Sequence, residues 1–484
     1  MPELAPAYDP SKVEDRLYRQ WTERGDYQAN PASSKPAFSI VIPPPNVTGI
    51  LTLGHVLNNT IQDILARRAR LLGQEVLWLP GTDHAGIATQ TVVERTLKKD
   101  GKIKHRDDLG REEFLKQVWQ WKEKHGGIII QQLKKLGASC DWSRERFTMD
   151  PAYSACVQQV FVDLHKKGLI YRGRRMVNWC PISRTALSDE EVIMKEQRGH
   201  LWHFRVAVQG EKDRFLTIAT TRPETIPGDT AIAVHPKDPR YASLIGKFAL
   251  RPLPPEQPES QRRIPIVGDE HVEMEFGTGV LKVTPAHDPA DFAIGQRHQL
   301  PAIEVIDESG HMNAAAGEKL TGLDRIKARA TAAEQLKELG CLEKEEPYTN
   351  QVGYSERADV PVEPRLSEQW FLKYPSAEKS REVVASGKMR FFPDRWTKVY
   401  DHWMGNLQDW CISRQLWWGH RIPVWYREKE TRCQIESPGP GWTQDPDVLD
   451  TWFSSWLWPF ATMGDRKSTR LNSSHANISY AVFC

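Results

Sequence analysis

The sequence predicts an α/β protein in which a doubly wound parallel sheet is interrupted by an inserted β-rich domain. An apolar run at residues 38–42 is followed by a loop and a helical pattern, and a second run at residues 75–79 repeats that order. Strands that alternate with helices are typical of parallel sheets. From about residue 200, short strand-like runs and turns rich in Gly, Pro and Asp take over, with α/β sequence on either side. This arrangement predicts an insertion into the sheet.

These changes of pattern give the expected domains. Residues 1–195 form the first part of the parallel-sheet domain, 196–345 the inserted domain, and 346–464 an incomplete return to the first domain. Residues 465–484 differ in kind, because they are rich in Ser and Asn, net basic and without periodicity. We expect this tail to be disordered or foreign to the preceding sequence.

The helices follow from capping residues and apolar spacing. Asp9-Pro10 opens the first helix, since proline suits the first helical position, and helices are also predicted at 112–136 and 153–167. A helix after residue 49 ends at Gly73 and has an apolar face that we expect to lie on the core: Leu57, Ile61, Ile64, Leu65 and Leu72. A later helix begins at Thr321-x-x-Asp324 and carries its apolar residues on one face: Ile326, Ala330, Ala333 and Leu336.

Composition excludes several classes of protein. The formal charge of +2 does not mark a nucleic-acid-binding protein, so any RNA contact must come from local basic patches. No apolar run approaches the roughly 18 residues of a membrane span, and residues 1–27 lack the apolar centre of a signal peptide. Seven scattered cysteines without a CxxC pair argue against disulfides and predict the cytoplasm. Zinc is not expected, because Ile182 and Ser183 stand where a second cysteine after Cys180 would be needed.

The first motif, PPPNVTGILTLGH at residues 43–55, joins a strand end to a helix start. Unpaired N–H groups and the helix dipole favour anions there. Gly54 lets a nucleotide approach the backbone closely, and His55 can donate to a phosphate as charge develops on it. A lone Gly-His pair is more often a helix cap, but the surrounding motif favours a functional role.

The second motif, GTDHAGIATQ at residues 81–90, follows the next strand. Asp83 therefore projects into the crevice outside the strand ends, where α/β sheets bind ligands. A carboxylate there can pair with a substrate ammonium group, although a helix N-cap is an equally good interpretation of this residue alone. Two Trp-rich blocks follow later, at residues 409–425 and 450–455, and each alone would be read as core.

Together these strings resemble the valyl-tRNA synthetases, a family of class I aminoacyl-tRNA synthetases with a Rossmann-like catalytic domain. The resemblance implies that Pro43, Pro44 and Asn46 line the aminoacyl-adenylate site and that His55 contacts ATP phosphate. Thr52 stands where the family signature has its first histidine, and its hydroxyl can still donate a hydrogen bond. Asp83 would hold the amino group of valine, and Trp452 would wall the aliphatic pocket. The implied partners are valine, ATP with Mg²⁺ and tRNA(Val), with no membrane, for a monomer.

A cavity shaped for valine excludes isoleucine by overpacking but cannot exclude threonine, a limitation for which the valyl enzymes are the usual example. This need predicts a hydrolytic editing site in the inserted domain. Two strings resemble the editing motifs of the family, TTRPET at 220–225 and KVTPAHDPAD at 282–291. The implied editing residues are Thr221, Arg222, Phe276, Lys282, Thr284, Asp288 and Asp291. The alternative is an Asp-Pro turn with structural hydroxyls.

The family's KMSKS-like loop, which helps to neutralise ATP phosphates, has no counterpart in this sequence. We therefore expect an N-terminal fragment of a valyl enzyme, truncated and with little aminoacylation activity of its own. Alternatives are a non-catalytic tRNA-binding fragment and a stand-alone deacylase. An isoleucyl enzyme is disfavoured by PPPNVTG and GTDHAGIATQ, and a dinucleotide oxidoreductase by the lack of GxGxxG after a strand.

Overall fold

The computed structural model describes residues 8–463. Within that range the chain forms two compact units. Unit 1 comprises the residues up to Ile170 and those from Ile412 onward, and unit 2 is Tyr171–Cys411. Unit 2 begins before residue 196 and ends after residue 345, so the predicted domain limits stay predictions. The tail at 465–484 lies outside the described residues.

Unit 1 begins with alternating helices and strands. They are α1 (Pro10–Glu23), β1 (Ala37–Val41), α2 (Leu53–Leu71), β2 (Glu75–Leu79), β3 (Gly81–Thr82), α3 (Gly86–Lys99), α4 (Gly110–Lys135), β4 (Arg146–Phe147) and α5 (Pro151–Lys166). Unit 2 follows with β5 (Ile170–Cys180), β6 (Thr185–Leu187), β7 (Val192–Val208), β8 (Phe215–Thr220), β9 (Ala231–Val234), β10 (Phe248–Leu250), α6 (Glu259–Arg262), β11 (Arg263–Gly268), β12 (Val280–Val283), α7 (Pro289–Arg297), α8 (Arg325–Glu338), β13 (Leu342–Ser355), β14 (Glu363–Leu372), α9 (Ala377–Ala385), α10 (Arg395–Gly405) and β15 (Trp410–Cys411). Unit 1 then resumes with β16 (Ser413–Arg414), β17 (Val424–Arg427), β18 (Glu430–Cys433), β19 (Thr443–Gln444), β20 (Val448–Leu449), α11 (Thr451–Ser455) and α12 (Trp458–Ala461).

Parallel strand pairs define the first part of unit 1. Strand β1 runs parallel to β2, from the pair Ala37↔Glu75 to the pair Val41↔Leu79, and β3 runs parallel to β4. Prolines 43 to 45 prevent β1 from continuing, because they lack N–H donors. The predicted strands and the helix after each of them are confirmed, and so is the α/β fold with a parallel sheet.

The expectation for the apolar face of α2 is wrong. The buried residues of this helix are Asn59, Gln62, Ala66 and Ala69, which form the face on β1 and β2. The predicted core residues lie on the opposite side and are exposed: Leu57, Ile61, Ile64, Leu65 and Leu72. The small side chains of Ala66 and Ala69 allow the helix to approach the sheet closely. The apolar spacing therefore identified a real stripe on α2, but the stripe faces away from the sheet.

Unit 2 is built around a mixed sheet with its own core. The strand order is β12-β9-β11-β10-β7-β13, with β8 paired to β7, and the long strands β7 and β13 form an antiparallel ladder. Apolar side chains from these strands and from α8 form one buried cluster that includes Phe204, Ile218, Ile232, Val305 and Leu336. The prediction of a β-rich region after residue 200 is therefore confirmed.

The predicted start of α8 is three residues too early. Asp324, not Thr321, is the N-cap, and its side chain accepts from the Ile326 backbone N–H at 2.9 Å. Ile326 and Ala330 are exposed, whereas Ala333 and Leu336 are buried as predicted, together with Ala328 and Ala332. An Ala-rich helix offers little contrast between its faces, which is why the sequence did not fix its orientation.

Candidate functional site

In unit 1 the first two motifs meet at the carboxyl ends of β1 and β2. Asn46 and Asp83 form a parallel β-bridge. The Val47 backbone N–H donates to the Asp83 carbonyl at 3.1 Å, and the Asp83 N–H donates to the Pro45 carbonyl at 2.9 Å. Two loops that lie about forty residues apart in sequence are therefore fixed side by side, as parallel strands require.

The Asp83 carboxylate is buried within this junction. One oxygen accepts from the Ala85 N–H at 2.9 Å, and the other lies 3.5 Å from both the Ser455 hydroxyl and His84 Nδ1. Ala85 has φ of 48°, a left-handed conformation that turns the chain into α3. The N-cap of α3 is Ala85 and not Asp83, so the N-cap interpretation of Asp83 is wrong, and the second oxygen of Asp83 faces other side chains.

The Trp-rich blocks pack against the second motif. The Gln90 side-chain oxygen accepts from the backbone N–H groups of Trp417 and Trp418, and the Trp418 indole donates to the His84 carbonyl at 2.8 Å. The Gly86 N–H donates to Thr451 Oγ1, also at 2.8 Å. All four motif segments of unit 1 therefore converge, although they span more than four hundred residues of sequence.

The start of α2 forms the second half of this region. Thr52 is the N-cap residue, and its N–H donates to His55 Nδ1 at 3.1 Å while its hydroxyl lies 2.9 Å from the same nitrogen. A Cβ added to Gly54 would meet only Thr52 Oγ1, at 3.8 Å. Protein packing does not require glycine there, so the position is open to an approaching group.

A cavity of about 310 Å³ opens in front of this helix end. It is lined by Pro43, Pro44, Pro45, Asn46, Thr52, Gly54, His55, Asn58 and Asn59. The predicted phosphate-binding and adenylate-lining residues are thus together in one cavity. Trp452, the predicted wall of an aliphatic pocket, is more than half exposed. Its backbone N–H donates to Asp450 Oδ1 at 3.0 Å.

Sequence reasoning missed a buried histidine pair beside Asp83. The rings of His84 and His420 meet edge to face with centroids 5.1 Å apart, and His84 Nδ1 lies 2.8 Å from the Thr148 hydroxyl. Burial, together with the nearby His84, holds the pKa of His420 well below its usual range. His420 is therefore a neutral wall of the site at physiological pH. Its place in the Trp-rich block was the only signal for it in the sequence.

Unit 2 contains a separate buried polar cluster around Lys282. The Lys282 ammonium donates to Thr284 Oγ1 at 2.5 Å and to Thr225 Oγ1 at 3.0 Å, and lies 3.4 Å from Asp229. Thr284 donates in turn to Asp229 at 2.5 Å. Burial raises the pKa of Asp229, although Lys282 opposes this. Two of the predicted editing residues are therefore neighbours, joined by Asp229 and Thr225, which the sequence analysis did not single out.

Asp288 and Asp291 lie in the first turn of α7 but in different environments. Asp288 is exposed and caps the helix, accepting from the N–H groups of Ala290 and Asp291 at 2.8 and 3.1 Å. Asp291 is buried and accepts from the Thr284 N–H at 2.8 Å. Burial raises its pKa to about 7, against the lowering effect of Lys282. One carboxylate thus faces solvent while the other adjoins the Lys282 cluster.

Arg222 is held by ion pairs within unit 2. Its guanidinium donates to Glu363 and to Glu224, and also to the His287 carbonyl at 3.2 Å. Arg329 pairs with Glu224 at 2.9 Å from the other side. These partners occupy Arg222 in the structure, and its editing role stays a prediction.

The remaining predicted editing residues lie at the surface or near it. Thr221 is half-buried, directly before Arg222. Phe276 is 72% exposed, in a turn between β11 and β12. An exposed aromatic ring can stack on a base only if the ligand reaches it, so its role also stays a prediction.

Within residues 8–463, no cluster of three or more His, Cys, Asp or Glu side chains is arranged to hold a metal ion. None of the helices in the same range is both long and apolar enough to cross a membrane.

Comparisons with known proteins agree with the motif geometry. The family model for tRNA synthetases class I (I, L, M and V) matches residues 16–439. A protein from Geobacter sulfurreducens named Valine--tRNA ligase is 53% identical over 472 residues, covering 96% of this chain and 52% of the relative. Its counterpart from Syntrophotalea carbinolica is 54% identical, with the same coverage. The chain spans about half the length of the curated relatives it matches.

Among solved structures, a ternary complex of Agrobacterium radiobacter K84 agnB2 LeuRS with tRNA and LeuAMS is similar with a TM-score of 0.47 and 20% identity. The match covers 98% of this chain and 62% of that one. The family match extends over most of the residues and includes the first two motifs and the Trp-rich block at 409–425, but it ends before the block at 450–455. This chain therefore belongs to the class I tRNA synthetases (I, L, M and V).

Proposed function

We propose that this chain is part of a valine–tRNA ligase that activates valine with ATP and transfers it to tRNA(Val), in the cytoplasm. The observation that carries the proposal is the bridge between Asn46 and Asp83. It sets a buried carboxylate beside the loop that leads to the start of α2, where anions are favoured. Relatives with about half of their residues identical are named Valine--tRNA ligase, which supports this choice.

The activation step needs an ammonium site and a phosphate site close together. The carboxylate of valine attacks the α-phosphorus of ATP, a new O–P bond forms, and pyrophosphate leaves with the electrons of the broken P–O bond. In our proposal Asp83 pairs with the ammonium group of valine and so orients this attack. The N–H groups at the start of α2, together with His55, stabilise charge on the phosphates.

Mg²⁺ enters this proposal only as a companion of ATP. The cavity lining contains proline, asparagine, threonine, glycine and histidine, but no carboxylate. Mg²⁺ prefers carboxylate, phosphate and water oxygens. The residues present do not form a site for the ion alone, and no step is assigned to it.

Thr52 bears on the phosphate site through His55. Its backbone N–H and hydroxyl both lie against His55 Nδ1, at 3.1 and 2.9 Å. If Nδ1 accepts the backbone hydrogen bond, the proton of a neutral ring is on Nε2, which is then a donor. Thr52 thus orients the ring of His55. The Thr52 hydroxyl therefore acts on the phosphate site through His55.

Editing of threonine is assigned in this proposal to unit 2. A valine-shaped pocket discriminates poorly against threonine, so a second, hydrolytic site is needed. Asp291 beside the Lys282 cluster offers a buried carboxylate for the amino group or hydroxyl of the misacylated residue. A positioned water would attack the ester carbonyl, releasing threonine and the free tRNA.

Pyrophosphate exchange tests the activation proposal. The longer protein that contains this chain should exchange labelled pyrophosphate into ATP in the presence of valine, weakly with threonine and very weakly with isoleucine. Equal or faster exchange with isoleucine would replace the valyl assignment with the isoleucyl one. No exchange with any amino acid, in protein that unfolds cooperatively, would overturn the proposal.

Deacylation tests the editing part separately. The longer protein should hydrolyse Thr-tRNA(Val) and spare Val-tRNA(Val), and Asp291→Ala should abolish that selectivity. Glu343→Gln is the matched control, because Glu343 is an exposed carboxylate of the same unit. Activation without deacylation would leave the ligase proposal intact and remove the editing role from unit 2.

A further inference from the structure

A short loop of unit 1 joins the two halves of the candidate site. This loop, residues 47–51, runs from the bridge between Asn46 and Asp83 to Thr52, the N-cap of α2. Its position therefore sets the distance between the Asp83 carboxylate and the start of α2. The loop belongs to no helix or strand, so partners outside it must hold it in place.

Helix α4 holds both ends of this loop through side-chain hydrogen bonds. The Trp121 indole N–H donates to the Val47 carbonyl at 3.1 Å. The Leu51 backbone N–H donates to the side-chain oxygen of Gln132 at 2.9 Å. Leu51 directly precedes the N-cap of α2, so the second bond acts on the residue next to the proposed phosphate site.

The two anchoring side chains lie on one side of α4. Positions 121 and 132 are separated by about three turns of an α-helix, which brings them to the same face. His125, one turn after Trp121, stacks on the indole with ring centroids 4.0 Å apart and so restricts it. A Cβ added to Gly126 would lie 3.7 Å from Val47 Cγ1, which means that the helix backbone passes directly beside the loop.

Helix α4 is itself fixed to the part of unit 1 that carries Asp83. It is 26 residues long and buries a row of apolar side chains. Two of them, Phe114 and Val118, belong to the same buried cluster as Trp418. The Trp418 indole donates to the carbonyl of His84, the residue after Asp83. The helix therefore provides a rigid reference for the loop that does not depend on the loop.

We propose that Trp121 and Gln132 are positioning residues for the activation step, because they hold residues 47–51 and with them the start of α2. Neither side chain lines the cavity, so neither is expected to touch the substrates. Charge-stabilising donors act only where they are well placed, and a displacement of about 1 Å can cost roughly 100-fold in rate. The inference rests on the proposed function, since it concerns the phosphate site of that reaction.

Hydrogen–deuterium exchange measures the anchoring in this chain without reference to any activity. Gln132→Leu removes the acceptor of the Leu51 N–H and should make deuterium uptake at Leu51 severalfold faster, while uptake in β2 stays unchanged. Gln131→Leu is the matched control, because Gln131 is the exposed neighbour on the same helix. Equal uptake at Leu51 in the parent and in Gln132→Leu would overturn the inference.

Pyrophosphate exchange by the longer protein measures the consequence for the reaction. Gln132→Leu and Trp121→Phe should each lower kcat about tenfold, while the KM for valine stays within about twofold, because Asp83 keeps its own bridge to Asn46. A merely structural role would lower the fraction of folded protein without separating kcat from KM. An unchanged kcat in both variants, with faster deuterium uptake at Leu51, would overturn the inference and leave the proposed function intact.

Gln132→Glu is the conservative variant. A carboxylate oxygen can still accept from the Leu51 N–H, so this variant should keep Leu51 protected and recover most of the lost kcat. A kcat as low as that of Gln132→Leu, with Leu51 protected, would overturn the inference. If the parent protein exchanges pyrophosphate with no amino acid, the proposed function fails, and deuterium uptake still decides whether α4 holds the loop.

Discussion

Single residues determine how the two candidate sites differ in their electrostatics. Asp83 is a buried carboxylate with one backbone donor and a hydroxyl at 3.5 Å, so it retains capacity for an incoming cation. Asp291 is a buried carboxylate whose pKa is raised to about 7, so it exists in both protonation states near neutrality. The first carboxylate suits the ammonium group that we propose for it, and the second changes its charge in the physiological range.

Asp83→Asn removes the charge of the proposed ammonium site and retains an oxygen for the Ala85 N–H. We expect the KM for valine of the longer protein to rise about 100-fold, which corresponds to about 3 kcal/mol for a lost buried ion pair. The KM for ATP should change little. Steady-state pyrophosphate exchange measures both constants, and a rise confined to ATP would contradict the assignment of Asp83.

Asp291 predicts a pH dependence of stability. Its folded pKa of about 7 lies above the ordinary value of 3.8, so the folded state holds a proton that the unfolded state has released. The free energy of unfolding should therefore fall as pH rises from about 4 to about 7, by at most about 4 kcal/mol at roughly 1.4 kcal/mol per pKa unit.

Urea unfolding of the chain between pH 4 and 8 measures this slope. The Asp291→Asn variant should lose most of the slope, because an amide does not titrate. Glu343→Gln should keep it. A slope that survives in Asp291→Asn would show that another group, such as the buried Asp229, is responsible.

At the scale of elements, one strand residue links three parts of unit 2. Glu363 begins β14 and pairs with Arg222, which precedes the 3-10 helix Pro223–Gly228. It also lies 3.5 Å from Arg325 at the start of α8. Burial alone would raise the pKa of Glu363, but Arg222 and its other partners lower it to about 2. The Glu363 carboxylate is therefore charged, and it is a counter-ion for both Arg222 and Arg325.

Glu363→Gln should destabilise unit 2 by about 3 kcal/mol at pH 7, because the buried Arg325 loses its counter-ion and the half-buried Arg222 keeps only Glu224. The folded pKa lies below the unfolded one, so the stabilisation is present above pH 4.5 and is lost as pH falls toward 2. Urea midpoints of parent and variant should hence converge in acid. Glu343→Gln is again the control, and an equal loss in both variants would refute the argument.

Local pattern predicted the early strands and helices of unit 1 but not which distant side chains contact one another. The strands β1 and β2 and the helix cap at Asp9 follow from short-range chemistry visible in the sequence. The orientation of α2 does not, because spacing locates an apolar stripe without telling what covers it. Asp229 lies 53 positions from Lys282 and reaches it only through the pairing of β9 with β12. The ion pair between Arg222 and Glu363, which lie 141 positions apart, could not be predicted from the sequence either.

At the scale of the whole molecule, the chain is organised as an insertion with its own core. The ladder of β7 and β13 runs from Leu342↔Phe204 to Ser355↔Val192 and so continues beyond residue 345. The sequence predicted where the β-rich texture begins. It could not predict that the compact unit extends outward to 171 and 411, since strands β5, β14 and β15 are too short or too polar to show where they pair.

Excised fragments test this organisation. Residues 171–411 should unfold cooperatively, with a higher urea midpoint than residues 196–345. The shorter fragment loses the ladder from Glu346↔Leu201 onward and also loses Glu363, which leaves Arg222 and Arg325 without their shared carboxylate. Intrinsic tryptophan fluorescence and circular dichroism measure the two urea midpoints. Equal midpoints would show that residues 196–345 are sufficient for the full stability of the unit.

The exposed leucines and isoleucines of α2 also bear on how the chain behaves in concentrated solution. Leucine and isoleucine side chains that stay in contact with water favour association between copies of a protein. The tendency of this chain to aggregate is therefore expected to be concentrated on one helix.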